Sequence, residues 1–181
     1  EVLERSVTGS LSDLLTADWS GLEISRLAPP DDLRLLVGWT GAPASTTRLV
    51  EDVTRAISAG DINYPEFLDA SRTLVSELQQ SLISGDDHNA LRAIRGSRRL
   101  LQKLGADAGV HIETPLLRAL CESAERVGAA GKPSGAGGGD CGIVLATSTT
   151  DVSALLQEWE THDIRHLSIS VHPPEGAINA H

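Results

Sequence analysis

The sequence predicts an α+β fold, in which an antiparallel sheet of about four strands is covered by helices. Apolar residues alternate with polar ones, or form a short apolar run, at four places, and they follow helical spacing at five others. The candidate strands are residues 22–25, 33–40, 141–146 and 167–171, and the candidate helices are residues 49–57, 64–82, 88–105, 115–127 and 152–159. Most helices fall between the second and third strands, which favours an α+β domain over a repeated βαβ unit.

The two early strands are predicted from the alternation of apolar and polar residues. In residues 22–25, Leu and Ile alternate with Glu and Ser, and two prolines follow at residues 29–30. Alternate residues from Leu33 to Trp39 share one apolar face, and Leu36 on the other face indicates burial on both sides.

A turn of small and hydroxyl-bearing residues, 41–47, joins the second strand to the first helix. Ser45 in this turn has two interpretations. It is an N-cap whose side chain satisfies the first N–H groups of the helix, or it belongs to an anion site at the helix N-terminus.

The middle of the chain is predicted to be helical. Breaks at residues 60–61 and 85–87 separate the first three helices, and Pro115 suits the first position of the fourth. The third helix carries a basic face formed by Arg92, Arg95, Arg98, Arg99 and Lys103. Such a face is usually solvated, although in an acidic chain it could also steer phosphates or pair with an acidic neighbour.

Composition narrows the class of function. The chain has 181 residues, a net charge of −10 and 40% apolar residues, which suits one domain with a real core and disfavours nucleic acid or an anionic membrane as a partner. No apolar run approaches the roughly 20 residues that span a bilayer. Cys121 and Cys141 form no spaced motif, so we expect reduced thiols and a cytoplasmic protein. Because the sequence begins at Glu1 and lacks methionine, we expect it to be part of a longer protein.

Residues 131–145, GKPSGAGGGDCGIVL, are the most unusual stretch of the sequence. A flexible linker is one interpretation, but Pro133 stiffens its entrance and an apolar strand follows without a gap. Three of its glycines spell G-x-G-x-x-G between a helix and a strand, which is the wrong order for a dinucleotide site, and the Walker A pattern is absent. The remaining hypothesis is a backbone cradle for a phosphate group.

The residue types in this stretch suit that hypothesis. Glycines allow positive φ and close approach of the backbone to a ligand. Lys132 can add a positive charge, and the Ser134 hydroxyl can donate a hydrogen bond. Asp140 could tie loop N–H groups together, or remain charged near a metal.

Residues 132–142, KPSGAGGGDCG, and residues 36–46, LVGWTGAPAST, together resemble two motifs of the GHMP kinases in the order in which that family has them. Their spelling is most similar to that of the branch that phosphorylates 5-phosphomevalonate. The resemblance implies the C-terminal domain of the family for residues 21–181. Residues 1–20 would then be a remnant of, or a connection to, a missing N-terminal domain.

The resemblance also implies a reaction, in which the γ-phosphoryl group of ATP, with Mg²⁺, passes to 5-phosphomevalonate to give 5-diphosphomevalonate. It implies contacts to the substrate phosphate from Ser45, from Ser134 and from the backbone of Gly135 and Ala136. Lys132 would add its charge to this site. The phosphate loop would be supported by Gly137, Gly138, Gly139 and Asp140. The missing N-terminal half would bind most of the ATP and hold the catalytic Lys and Asp.

Two other functions remain open at this point. The chain could be a phosphate-binding or assembly module without catalysis, because the ATP-binding loop of the family is not in it. It could also belong to another GHMP kinase, such as mevalonate or homoserine kinase. No metal site is predicted: His162 and His166 are four residues apart, but Asp163 and Ile164 suggest that the helix ends between them.

Overall fold

The computed structural model describes residues 27, 32–43, 45–135 and 137–169, and within them it contains five helices and one four-stranded antiparallel sheet. The strands are β1 (Leu33–Trp39), β2 (Ala130–Pro133), β3 (Cys141–Thr147) and β4 (Arg165–Leu167). The helices are α1 (Thr46–Ala59), α2 (Tyr64–Ser84), α3 (Asp87–Ala108), α4 (Pro115–Arg126) and α5 (Val152–Thr161). The predicted α+β class is confirmed. No helix in these ranges is both long enough and apolar enough to cross a membrane.

The order of strands in the sheet is β2-β3-β1-β4, and every neighbouring pair is antiparallel. Strands β1 and β3 pair along their whole length, from Leu33 opposite Thr147 to Trp39 opposite Cys141. The end of β1 therefore lies beside the start of β3. This register brings the turn after β1 and the glycine-rich segment before β3 to the same edge of the sheet.

Two of the predicted strands, 33–40 and 141–146, agree with β1 and β3. The strand expected at 167–171 is wrong in position, because the chain pairs with β1 from Arg165 to Leu167 and is no longer in the sheet at residues 168 and 169. The strand expected at 22–25 and the division of the chain at residue 20 lie outside the described residues.

Strand β2 was not expected, since Gly131 to Pro133 was assigned to the loop. The structure pairs these residues with β3 from Gly142 to Ile143 and beyond. Glycine occurs in this strand because of close packing and not because of strand propensity. A Cβ atom on Gly131 would lie 3.1 Å from the Cα atom of Cys121 and 3.2 Å from Val144, so the strand needs a glycine where it crosses α4.

One face of the sheet packs against α4 and α5 and forms the main core. Trp159 is fully buried there, and its indole N–H donates to the Ser123 hydroxyl at 2.9 Å. Gly38 makes this packing possible, because a Cβ atom on it would lie 2.5 Å from Leu120. The buried members of the cluster are Leu36, Leu120, Cys121, Ala124, Ala129, Val144, Ala146, Leu155, Trp159 and Ile164.

The opposite face is covered by α3 near β2. Ala130 is buried there against Leu91 and Ile94, with Leu145 packed against the cluster. The sheet is thus enclosed on both sides at β2 and β3, which orients the segment that joins these strands.

The basic face of α3 differs from the usual solvated arrangement. Arg98 is buried and pairs with Glu113, and Arg95 donates to the carbonyl oxygens of Gly128 and Ala129 at 3.1 and 2.8 Å. Only part of the face, including Arg92, is exposed. Arg95 and Arg98 therefore pair with neighbouring groups, which lie in α4 and in the turns on either side of it.

Candidate functional site

The glycine-rich segment is a hairpin connection. Its ladder continues past β2, because the Ser134 N–H donates to the Cys141 carbonyl at 2.9 Å. We define the glycine loop as residues 134–140. Both of its ends are therefore fixed by the sheet, which argues against the linker interpretation.

The second half of the glycine loop is pressed against two other backbone segments. Gly137 and Gly139 are buried, and Cβ atoms on them would lie 2.5 Å from the Ile112 carbonyl oxygen and 2.8 Å from that of Ala42. The Gly138 N–H donates to the Ile112 carbonyl at 2.8 Å. These glycines were predicted to support the phosphate loop, and close contacts with Ile112 and Ala42 account for Gly137 and Gly139.

The first half of the loop is open. Ser134 is half-buried and Gly135 is exposed with φ +60°, and a Cβ atom on Gly135 would have no neighbour within 4 Å. The Gly137 N–H donates to the Ser134 carbonyl at 3.3 Å, which closes a turn between the two halves. Ala136 lies outside the described residues. Among the loop residues of known placement, Ser134 and Gly135 have the space to meet a ligand.

The end of β1 is joined to the loop by a set of hydrogen bonds that we call the loop junction. Thr40 is buried, and its N–H donates to the Asp140 carbonyl at 2.8 Å. Its hydroxyl lies 2.9 Å from the Gly139 carbonyl oxygen and 3.1 Å from that of Asp140. The indole N–H of Trp39 donates to the Asp140 carboxylate at 3.1 Å.

The loop junction brings together two segments that the sequence predicted to belong to one site. The turn after Trp39 and the glycine loop are about a hundred residues apart in sequence and in direct contact in the structure. Asp140 was expected to tie loop N–H groups or to stay charged near a metal. Its carboxylate instead accepts from the indole of β1, so it fastens the loop to the sheet. Thr40 and Trp39 were not among the predicted site residues.

Ser45 lies at the N-cap of α1 with extended backbone angles, and its side chain makes no capping hydrogen bond. It is exposed, at the end of the same turn that forms the loop junction. The other four helices have side-chain caps from Asn63, Asp86, Thr114 and Asp151. Ser45 therefore occupies the N-cap position, but its hydroxyl does not cap the helix.

Lys132 belongs to β2 and not to the loop. Its ammonium donates to the Pro133 carbonyl at 2.8 Å, and burial lowers the pKa of the ammonium from its ordinary value. By strand alternation, Lys132 and Ser134 project from the same side of the hairpin. Because an ammonium has three donors, the bond to Pro133 leaves capacity for an anion beside Ser134.

The other polar candidates lie away from one another. His162 follows the last residue of α5, and His166 is in β4, so the two do not share a helix. Within the described ranges, no group of three or more His, Cys, Asp or Glu side chains is placed to hold a metal ion. Burial raises the pKa of the Cys121 thiol to about 12, which keeps it protonated at neutral pH.

Residues 75–164 match the family described as GHMP kinases C terminal, and the sheet with its five helices is the fold of that domain. The chain therefore contains a GHMP kinase C-terminal domain.

The chain is also similar to individual proteins over most of its length. The chain is 44% identical over 171 residues to a protein named phosphomevalonate kinase from Streptomyces sp. (strain CL190), covering 93% of this chain and 46% of that protein. It also resembles the crystal structure of the Lin0012 protein of Listeria innocua, with a TM-score of 0.82 and 39% identity over 92% of this chain and 46% of that one.

A third relative is a solved complex. Streptococcus pneumoniae phosphomevalonate kinase with phosphomevalonate and AMPPNP has a TM-score of 0.77 and 32% identity, over 92% of this chain and 47% of that one. The present chain thus spans about half the length of the relatives it matches.

Proposed function

We propose that this chain is the acceptor-binding part of a phosphomevalonate kinase, which transfers the γ-phosphoryl group of ATP to 5-phosphomevalonate. The loop junction carries the proposal. It fastens the anchored end of the glycine loop to the end of β1. The open end of the loop and the hydroxyl-bearing turn before α1 then lie at the same edge of the sheet, as a two-sided phosphate site requires. The named activity of the Streptomyces relative supports the choice of acceptor.

The chemistry places modest demands on this half of the protein. A phosphate monoester has a second pKa near about 6, so its oxygen is already a nucleophile at neutral pH and needs no strong base. That oxygen bonds to the γ-phosphorus as the bond from phosphorus to the β–γ bridging oxygen breaks, and ADP leaves. The remaining requirement is to hold two polyanions in line and offset their charges.

We assign the holding of the acceptor phosphate to five residues on the two sides of the junction. The Ser134 hydroxyl and the backbone N–H groups of Gly135 and Ala136 donate to phosphate oxygens. Lys132 supplies a positive charge from the same side of the hairpin, and the Ser45 hydroxyl donates from the turn before α1. Gly137, Gly138, Gly139 and Asp140 keep the loop in position.

ATP and Mg²⁺ are assigned to the rest of the protein. AMPPNP is present in the named complex of the Streptococcus relative, which is about twice as long as this chain. The described residues offer no cluster of three or more His, Cys, Asp or Glu side chains for a metal ion. We likewise expect the catalytic residues in the N-terminal half, with residues 1–20 leading from it and residues 21–181 forming the present domain.

We also propose a cytoplasmic location. The two cysteines are unpaired, with Cys121 buried in α4 and Cys141 at the start of β3. Free thiols in separate elements are typical of reducing compartments.

The test is a coupled ADP-release assay on the complete protein with phosphomevalonate, mevalonate and homoserine as separate acceptors. We expect turnover with phosphomevalonate. Turnover with another acceptor alone would reassign the substrate. Binding of phosphomevalonate with no turnover of any acceptor would favour the non-catalytic module.

A further inference from the structure

A buried ion cluster lies behind the segment that contacts the glycine loop. Arg98 of α3 and Glu113, in the connection between α3 and α4, have side chains that are only 6% and 3% exposed. Two parallel hydrogen bonds join them, Nε to Oε2 at 2.9 Å and Nη2 to Oε1 at 2.8 Å. Gln102 also donates to Glu113 Oε1 at 3.1 Å, and Arg98 Nη1 donates to Glu125 at 2.8 Å.

Both members of this pair stay ionised. Burial alone would raise the pKa of Glu113, but hydrogen bonds from Arg98 and Gln102, with the charges of Arg98 and Arg118, lower it below its ordinary value. The hydrogen bond to Glu113 raises the pKa of Arg98 against the opposing effect of burial. The two charges therefore form a fixed fork at neutral pH.

Stability alone is a weak explanation for such a pair. Replacing a buried ion pair with apolar side chains of similar volume often leaves stability unchanged or improves it, because desolvation offsets the attraction. A bidentate pair supplies direction that apolar packing does not. Here it fixes the backbone at Glu113 relative to α3.

That backbone is connected directly to the glycine loop. The Ile112 carbonyl and the Glu113 N–H belong to one planar peptide unit, so they move together. The Ile112 oxygen accepts from the Gly138 N–H at 2.8 Å, and it is the atom against which Gly137 is packed. A displacement of Glu113 therefore displaces the partner of two consecutive loop residues.

We infer that Arg98 and Glu113 are positioning residues for the glycine loop, acting through the Ile112 carbonyl. The pair fixes the position of Gly137 and Gly138. Because a turn hydrogen bond joins Gly137 to Ser134, it also influences the position of the open half of the loop. The consequence for phosphomevalonate binding rests on the function proposed above. The effect on the conformation of the loop does not depend on it.

The direct test is NMR of the complete protein labelled with ¹⁵N-glycine. Glu113→Gln keeps the size of the side chain and removes its charge and one acceptor. We expect it to shift the amide signals of Gly137 and Gly138 and to speed hydrogen exchange at Gly138 about tenfold or more. Arg92→Met is the matched control, because Arg92 lies on the same helix in an exposed pair with Glu77, and it should leave these signals in place.

A second variant separates positioning from stability. Arg98→Met combined with Glu113→Leu replaces the charges with apolar side chains, so we expect an unfolding midpoint near that of the wild type. The glycine signals should nevertheless be shifted as in Glu113→Gln. Wild-type positions for Gly137 and Gly138 in either variant would overturn the inference.

Kinetics add a readout that a purely structural role would not move. We expect Glu113→Gln to raise KM for phosphomevalonate about tenfold, which equals about 1.4 kcal/mol, and to change KM for ATP less than about twofold. Equal changes in both constants would contradict positioning of the acceptor site. If the wild type does not use phosphomevalonate, the proposed function fails, and the glycine signals alone decide the inference.

Discussion

The two halves of the glycine loop both consist mainly of small residues, but they have different surroundings. Gly137 to Asp140 is packed against Ile112 and Ala42 or fastened by the loop junction, whereas Gly135 is exposed with open space beside it and Ser134 is half-buried. Glycine is required in the first case because two backbones meet, and in the second because of a left-handed turn with room beside it. A glycine-rich stretch thus need not face a ligand along its whole length.

The comparison assigns separate tasks to the two halves. The anchored half determines where the loop lies, and the open half is the part that a phosphate can approach. Substitutions in the anchored half should therefore change stability first. Substitutions in the open half should change ligand binding with little loss of stability.

The largest effect is expected for Gly137→Ala. The new Cβ atom would lie 2.5 Å from the Ile112 carbonyl oxygen, at a backbone φ of +81°. Left-handed strain and overpacking together should lower the free energy of unfolding by about 4 kcal/mol, measured by urea denaturation. Gly60→Ala is the matched control, with φ +84° and no neighbour within 4 Å, and it should lose about 1 kcal/mol. Equal losses would mean that the Ile112 contact is unimportant.

The next effect is expected for Ser134→Ala in the complete protein. The loss of one donor to a charged phosphate should weaken phosphomevalonate binding by about 2 kcal/mol and leave ATP binding nearly unchanged, as measured by titration calorimetry. Ser148→Ala, an exposed position in the turn after β3, is the control and should affect neither ligand. Equal weakening of both ligands would remove Ser134 from the acceptor site.

A smaller effect is expected for Gly135→Ala. The residue has φ +60° and free space around it, so only the left-handed strain should appear, as a loss of about 1 kcal/mol in the free energy of unfolding. Gly135→Asn should cost less, because asparagine tolerates this conformation. A loss as large as that of Gly137→Ala would show that the two halves of the loop do not differ.

The smallest effect on stability is expected for Ser45→Ala, below about 0.5 kcal/mol, because the side chain makes no capping bond. Asp151→Ala is the contrasting variant. The Asp151 carboxylate accepts from the Ala154 N–H at 3.0 Å, so its loss should cost about 1 kcal/mol by thermal denaturation. Similar losses in both variants would restore the capping role of Ser45.

The sequence was most informative where local pattern and structure agree. Alternation located β1, a short apolar run located β3, and apolar spacing located the helices. In β3 the alternate residues from Gly142 to Ala146 are buried, whereas burial in β1 is concentrated at Leu36 to Gly38. Strand β2 could not be predicted this way, because Gly and Pro are depleted in strands and Gly131 is present for close packing against α4. The last strand was misplaced because alternation continues past the residues that actually pair with β1.

The site was predictable in part. Motif resemblance indicated that the glycine loop and the turn after Trp39 belong together, and the structure places them in contact. The bonds that join them link residues about a hundred positions apart, and no local pattern carries that information. The partner of the basic face was equally hidden, because Arg98 and Glu113 meet only when α3 and the connection to α4 have folded. The substrate contacts of Ser45, Lys132, Ser134, Gly135 and Ala136 remain predictions.

The contact between Trp39 and Asp140 makes Trp39 an intrinsic fluorescent reporter of the glycine loop. Indole emission responds to the polarity around its nitrogen, and here that nitrogen is bonded to the base of the glycine loop, with the guanidinium of Arg165 5.6 Å from the ring centre. Trp159 is enclosed in the core, and Trp19 lies outside the described residues, so the variant Trp39→Phe would identify the emission that belongs to Trp39. A change in fluorescence on adding a phosphorylated compound would therefore follow the loop in real time, without any attached dye.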